Sequence, residues 1–445
     1  MNGTEPARER LYCLGRYEKA DAVRSFATDV SDLERLLRNE DSGIVQGAGL
    51  SLSGAGFGPH SNVVSARRLN QVLDFAPEDR IIEVGAGATL GELFAILGPH
   101  GLAVPVQPGH PDITIGGCVA GDVHGKNPVR DGNFCDHVLS IELFHPDHGR
   151  MTLSPSENPD LFELTCGGFG MTGAILSVRL RLSHLRGDLV ALEYVPVDGL
   201  SAGARILQAR SENADFIYSW HDMAAPGRAL GAGFVAVGRV VEGDIAKARF
   251  VRSYRPLRTA PGPGEMNILR PALMRPINAL YRRLTQRRRT RRVDAFSAYF
   301  PWTRQSAYFR AFGRLGFVEH QALLRDDTLG DYMTGVTDIV RRSGAVPTLA
   351  SLKAFSGAQR FLRFRGRGVS LSLHVPASAA GIALIEQIDA LDDELGALPN
   401  IIKDSRLSAQ AVRRHYDGYQ DFRSSLRDHD PKRRFRSSLS ERIGL

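Results

Sequence analysis

Apolar residues in the first 190 positions fall into short runs that switch between two periods. Val30, Leu33, Leu36 and Leu37 recur at helical spacing within 26–38, where Ser31 followed three residues later by Glu34 supplies an N-cap. Gly43–Gln46, Asn62–Ser65 and Arg80–Gly85 are short strands, and Thr89 caps a helix from Leu90 to Gly98 with Glu92 in its first turn. Leu102–Val106, Val138–Phe144, Arg150–Leu153 and Ala174–Leu182 are further strands. Leu161–Gly173 is a helix that gives way to a glycine cluster (Gly167, Gly168, Gly170, Gly173). This irregular alternation predicts an α+β unit with antiparallel pairs.

From about Val190 the texture changes. Ala191–Val197, Phe216–Trp220, Gly233–Val241, Ala295–Phe300, Glu319–Leu324, Ala350–Phe355 and Val369–Pro376 alternate as strands, with helices over Gly330–Ser343 and Ala380–Gly396. One larger antiparallel sheet with helices on one face is expected. Leu273, Ile277, Leu280 and Leu284 form a single helical stripe, followed at once by an arginine run.

That run changes the meaning of the net charge of +7. Seven arginines and no acid lie between Arg282 and Arg292, so the rest of the chain is neutral. The charge argues against a nucleic-acid surface spread over the fold and for one basic element over 268–293. A basic amphipathic helix suits an anionic membrane surface; a solvated arginine loop is the alternative. With 445 residues, 43% hydrophobic, two or three domains with sizeable cores are expected. The N-terminus has no apolar stretch after a basic start, and no run approaches the ~18 residues of a membrane span. Cys13, Cys118, Cys135 and Cys166 form no metal-type pair, and a reduced, cytoplasmic protein is expected.

Candidate chemistry centres on Pro108–Asn127, with five glycines in twenty residues. Gly116-Gly117 followed by Cys118, Ala120 and Gly121 clears side chains from one surface, so backbone amides can face phosphates or ring carbonyls. A flavin bed and a tight glycine turn before a packed helix both fit these residues. A second loop, Gly47–Gly58, follows a strand as a pyrophosphate cradle does, yet lacks the Gly-Lys-Ser/Thr ending and the third glycine of the two familiar nucleotide patterns.

Five segments together resemble the vanillyl-alcohol oxidase and para-cresol methylhydroxylase superfamily, and within it the decaprenylphosphoryl-ribose 2'-oxidase family, the flavoenzyme half of the epimerase that makes decaprenylphosphoryl-arabinose. They are Pro108-Gly109 with Thr114–Gly117, Asp122–Asn127, Gly167–Gly173, Leu352–Phe355 and Lys403–Arg406. The resemblance implies a two-part FAD-binding domain at 1–188 with a return at 401–445, enclosing a substrate domain at 189–400. It implies that Gly47, Ala48, Gly49, Leu50, Ser51, Leu52 and the segment Gly109, His110, Thr114, Gly116 and Gly117 hold the FAD pyrophosphate. Gly121, His124, Gly125 and Asn127 would lie along the ribityl chain and isoalloxazine, and Ile175 near the adenine half. Superfamily members that attach flavin covalently carry histidine where this chain has Leu50, so non-covalent FAD is expected. The His-Trp-Gly-Lys signature of aldonolactone oxidases is absent, and Ser372 stands where mycobacterial members carry cysteine.

Oxidation of a secondary alcohol needs a hydride acceptor, flavin N5, and a group that handles the hydroxyl proton. Lys353, in an apolar strand, is the candidate, against the ordinary fate of a lysine on a solvent face. His124 contacts flavin or substrate phosphate, or packs a tight loop. The resemblance places Tyr299 and Gln321 in the substrate pocket, and Lys403 with Arg406 would suit a phosphate. The expected activity is oxidation of a sugar hydroxyl on a polyprenyl-phosphate lipid, with a short-chain reductase partner and peripheral contact with the inner membrane face. A soluble alcohol or alditol oxidase and a non-catalytic membrane-associated binding protein are the alternatives.

Overall fold

The computed structural model describes residues 7–59, 61–256, 267–287, 289–301 and 306–445; Arg288 of the basic run lies outside them. Ala7–Tyr12 (β1), Lys19–Phe26 (β2), Gly43–Gln46 (β3) and Asn62–Ser65 (β4) make a sheet of order β1-β2-β4-β3, antiparallel at β1-β2 and parallel elsewhere. The helix Val30–Arg38 (α1) packs Leu33 and Leu37 under it. Its cap is Asp29, whose carboxylate accepts the Asp32 amide at 2.9 Å. Ser31 therefore sits inside the first turn, and Phe26 belongs to the sheet opposite Ser65.

The next strands are Val72–Ala76 (β5), Ile81–Gly85 (β6), Leu102–Ala103 (β7), Val138–His145 (β8), Gly149–Leu153 (β9), Ala174–Arg181 (β10) and Ser183–His184 (β11). Five form an antiparallel sheet, β5-β6-β10-β8-β9, and β11 pairs with β7. The strand expected over 102–106 stops at Ala103, before Pro105, which has no amide to donate. Leu90–Leu97 (α2), with the Thr89–Glu92 capping box, and Ile115–Ala120 (α3) bury Leu93, Phe94, Leu97, Ile115, Cys118 and Val119 on this sheet. Pro128–Asp131 (α4) and Pro159–Thr165 (α5) complete the N-terminal half.

The central region is two four-stranded sheets rather than one. Leu189–Val197 (β12), Phe216–His221 (β13), Gly233–Val241 (β14) and Thr290–Asp294 (β15) run in the order β13-β14-β12-β15. Phe317–Leu324 (β16), Leu349–Phe355 (β17), Gly368–Pro376 (β18) and Leu398–Pro399 (β19) run β17-β18-β16-β19. Edge strands β13 and β17 meet where the Leu352 amide donates to Ser219 Oγ at 2.8 Å. Leu200–Arg210 (α6) packs beside both sheets, Pro271–Arg287 (α7) lies across β12 and β14, and Ala295–Tyr299 (α8) follows β15. The segment at α8 was expected as a strand. Asp294 caps it by accepting the Ser297 amide, and Phe296, Tyr299 and Phe300, at helical spacing, converge on Phe94. After Ser306–Ala311 (α9), Leu329–Arg342 (α10) and Ala379–Leu395 (α11) cover one face of the second sheet.

The chain then returns to its beginning. Ala409–His415 (α12), Tyr419–His429 (α13) and Ser438–Ile443 (α14) bury Val412, Tyr416, Tyr419, Phe422, Leu439 and Ile443 in one core with Ile44, Val63 and Phe169. The Gly43 amide donates to Arg434 O and the Arg436 amide to Gly43 O, extending the first sheet beside β3. Leu439 is fully buried in that core. We expect Leu439→Ala to lower unfolding stability by about 2–5 kcal/mol in denaturant titration; an unchanged midpoint would mean that the C-terminal helices do not share the core.

Candidate active site

On β16, β17 and β18 one set of alternating side chains is apolar and buried under α10 and α11: Val318, Ala322, Ala350, Leu352, Leu371 and Leu373 among them. The alternate set carries Glu319, Gln321, Lys353, Ser370 and Ser372. Such a face is ordinarily solvated. Here the loop after α3 lies against it, and His124 and Gly125 meet the sheet directly.

Gln321 organises the contact. Its Oε1 accepts Asn400 Nδ2 at 2.8 Å, so its Nε2 is the donor toward Ser370 Oγ at 3.2 Å and His124 Nε2 at 3.2 Å. His124 Nε2 is therefore an acceptor, and Nδ1–H donates to Gly125 O at 3.1 Å. Lys353 Nζ lies 3.4 Å from that Nδ1 and 3.0 Å from Gly125 O. Three of the residues expected to be catalytic, Lys353, His124 and Gln321, thus form one cluster.

The electrostatics favour neutral forms within it. Burial, and then the positive charge of Lys403, lower Lys353 to about 7 against the opposing pull of Glu319. His124 is pushed well below its ordinary range by burial and by Lys353 and Lys403. Lys126, whose ammonium donates to Tyr299 O, is also lowered, by burial and by Lys353. Burial raises Glu319, but Lys403 at 3.4 Å and His374 at 3.0 Å outweigh it and hold the carboxyl at about 2. The site is a cationic, partly desolvated patch in which one amine is free to take a proton near neutrality.

Across from it lies the bed for a cofactor. Among the described contacts the amides of residues 47–52 donate no hydrogen bond, and Gly49 adopts a left-handed φ of +71°. A Cβ at Gly47 would come 2.1 Å from Thr114 Oγ1, so the two glycine loops interlock. Thr114 itself caps α3 by accepting the Gly117 amide. Gln107 Oε1 and Asn127 Oδ1 are buried acceptors with no hydrogen-bond partner. Six unspent amides suit a pyrophosphate, and two orphaned acceptors suit the hydroxyls of a ribityl chain. The residues present fit FAD.

The remaining expected residues separate. His110 Nδ1 accepts the Asp112 amide at 3.2 Å, and Cys118 and Ile175 are core side chains under the bed. The Asn127 amide donates to Ser211 O and Ala214 O, tying the bed to the α6 end. Tyr299 packs its ring on Phe216 and Phe94 and presents its carbonyl, to Lys126. Arg406, expected as a phosphate fork, has both terminal nitrogens on Asp389 and Asp404 at 2.9–3.2 Å, whereas Lys403 keeps a partly exposed ammonium. Lys126, Ser370 and Asn400 were missed. Lys126 lies two residues from His124 in the same segment, but nothing local marks the other two.

The FAD binding domain family matches residues 25–154. Over the full length of both chains, this protein is 27% identical to decaprenylphosphoryl-beta-D-ribose oxidase of Mycolicibacterium smegmatis. It is 31% identical to an uncharacterized protein in the mprA 5' region of Streptomyces coelicolor, over 80% of this chain and all of that one. The chain is an FAD-dependent oxidoreductase like decaprenylphosphoryl-ribose oxidase. D-lactate dehydrogenase of Archaeoglobus fulgidus, 28% identical, matches over 33% of this chain and 34% of its own. The oxidase-like protein described here is an FAD-dependent oxidoreductase acting on CH–OH groups, with an α+β, para-cresol-methylhydroxylase-type FAD-binding fold. Because Gly47 has no room for a methyl group, Gly47→Ala should weaken FAD binding at least about tenfold, read from flavin fluorescence after dilution; full retention would move the pyrophosphate elsewhere.

Proposed function

We propose that the protein oxidises a secondary hydroxyl of a sugar, a pentose carried on a polyprenyl phosphate, using non-covalent FAD. The observation that carries this reading is the Lys353–His124–Gln321 cluster on a sheet face turned to the cofactor bed. When bound, FAD supplies the two-electron hydride acceptor. Lys353, as free amine, takes the hydroxyl proton as the carbonyl forms. His124, neutral and fixed by Gln321 and Gly125 O, holds the amine in place. Lys403 offers positive charge to the developing alkoxide and to the substrate phosphate, and Leu50, at the place of an attaching histidine, leaves the flavin free. A short-chain reductase acting on the keto product would complete a 2'-epimerisation.

The lipid carrier gives α7 a task. Met274 and Asn278 are buried, Asn278 donating to Asp222, while Leu273, Ile277, Leu280 and Leu284 are each about half exposed on the other side. Arg282, Arg283 and Arg287 stand on the same helix, and Arg291 and Arg292 follow on β15. No helix among the described residues is long and apolar enough to cross a membrane. A cation-flanked apolar stripe is the geometry of peripheral binding to an anionic lipid surface.

Two measurements test the reading. Lys353→Ala should keep FAD and lose flavin reduction by a polyprenyl-phosphoryl pentose by about 10²–10⁴-fold in anaerobic stopped flow. The wild-type rate should climb between pH 6 and 8, because the lysine is a base only above about 7. Undiminished reduction in the variant, or a flat profile, would remove Lys353 from the proton transfer. Reduction by a free alditol and not by the lipid-linked sugar would instead point to a soluble alditol oxidase.

For the helix, the wild type should co-sediment with liposomes containing phosphatidylglycerol but not with neutral ones. Ile277→Glu combined with Leu280→Glu should abolish this while leaving the flavin spectrum intact. Binding that ignores lipid charge or survives the double substitution would exclude a membrane role for α7.

A further inference from the structure

Apart from the active-site residues, three imidazoles crowd together at the edge of the flavin half. His145 ends β8, His148 lies in the β8–β9 turn, and His429 ends α13. Their ring centroids are 4.6, 5.1 and 5.0 Å apart, and each offers a nitrogen within 4.8 Å of the others. Mutual attraction of neutral imidazoles does not demand such a triangle, whereas three rings around one metal with bonds of about 2.1 Å have centroids about 5 Å apart.

Hydrogen bonds fix which nitrogens are open. His148 Nε2 lies 2.8 Å from His429 O, and His429 Nε2 lies 2.8 Å from Thr172 O. A carbonyl only accepts, so both Nε2 atoms carry the proton and both Nδ1 atoms keep a lone pair in the neutral ring. An N–H held by a backbone carbonyl is the outer-shell arrangement that orients histidine toward a metal. His145 is fully buried, and its Nε2 has no hydrogen-bond partner. That atom lies 3.7 Å from the carboxylate of Asp430, a buried negative charge beside the cluster. The Asp147 amide donates to His145 Nδ1 from the exposed turn, and this contact must yield for His145 to join as a ligand.

We propose that His148, His429 and His145 bind a divalent transition metal of the zinc class, with His148 and His429 as the leading pair. The metal would join the β8–β9 turn to the last turn of α13, and so fasten the returning C-terminal segment to the flavin half. The ligand atoms must draw together by about 1 Å, which the exposed turn carrying His148 permits. The site is independent of the oxidoreductase chemistry and of the lipid reading.

The test uses the FAD-loaded full chain after chelator treatment. Zinc(II) titrated by calorimetry should bind one equivalent per chain and raise the thermal midpoint. His148→Ala, at an exposed position, should weaken binding at least tenfold and abolish the midpoint shift while the flavin spectrum stays unchanged. His184→Ala, an exposed histidine elsewhere, should bind as the wild type does. Absence of saturable binding, equal binding in His148→Ala, or equal loss in His184→Ala would each overturn the proposal.

Discussion

Lys353 is buried beside one like charge, Lys403, with Glu319 the carboxylate that offsets it. Burial and a neighbouring like charge both raise the cost of the ammonium form, so the Lys353 amine exchanges its proton near neutrality. The rest of the site follows from that constraint. The amine must be positioned by groups that do not themselves charge, and His124, Gln321, Asn400 and Ser370 meet that requirement as a chain of neutral donors and acceptors. Glu319, already committed to Lys403 and His374, stays ionised.

This arrangement needs a sheet whose polar face is covered by something thin. Glycines make the covering loop thin: a Cβ at Gly116 would come 3.0 Å from Ala86 Cβ, one at Gly121 3.2 Å from Ile402 Cδ1 and one at Gly125 3.2 Å from the Gln107 amide nitrogen. Removing side chains weakens the bed's own packing, and compensation comes from beneath. The Gly167 and Phe169 amides donate to Val119 O and Ala120 O, and Asn127 ties the loop to the carbonyls of Ser211 and Ala214. The second glycine cluster is thus a support under the first. A Cβ at Gly167 would come 2.9 Å from the Arg363 side chain, and one at Gly168 2.2 Å from Leu164 O, so this turn has no room for side chains there.

Most of this was legible in the chain where local pattern and chemistry agree. Period-two alternation marked β16, β17 and β18, and the glycine runs marked the bed. Alternation failed at Ala295–Tyr299, because a run of aromatic and small residues satisfies both periods and the Asp294 cap with Phe94 as partner decided for helix. It failed again at the amino terminus, where β1 and β2 alternate charged, exposed residues with an inner row of only Leu11, Ala20 and Ala22. Arg406 looked like an anion fork, but its partners Asp389 and Asp404 come from α11 and the following loop, and a tertiary ion pair leaves no mark in spacing. Asn400 and Ser370 escaped for the same reason: each matters through long-range hydrogen bonding to Gln321.

The C-terminal return couples the two halves. Asn400 and Lys403 reach the substrate face just before the chain re-enters the flavin core, and Arg442, near its end, donates to Glu18, Ser53 O and Asp404 O. One guanidinium therefore spans the loop that follows the unspent amides and the loop that carries Lys403. A ligand that orders residues 47–53 also favours the position of Asp404 and its neighbours, because both are held by the same donor. Whatever binds the folded state alone stabilises every contact cooperative with it, so filling the pyrophosphate cradle and assembling the cationic patch are parts of one equilibrium.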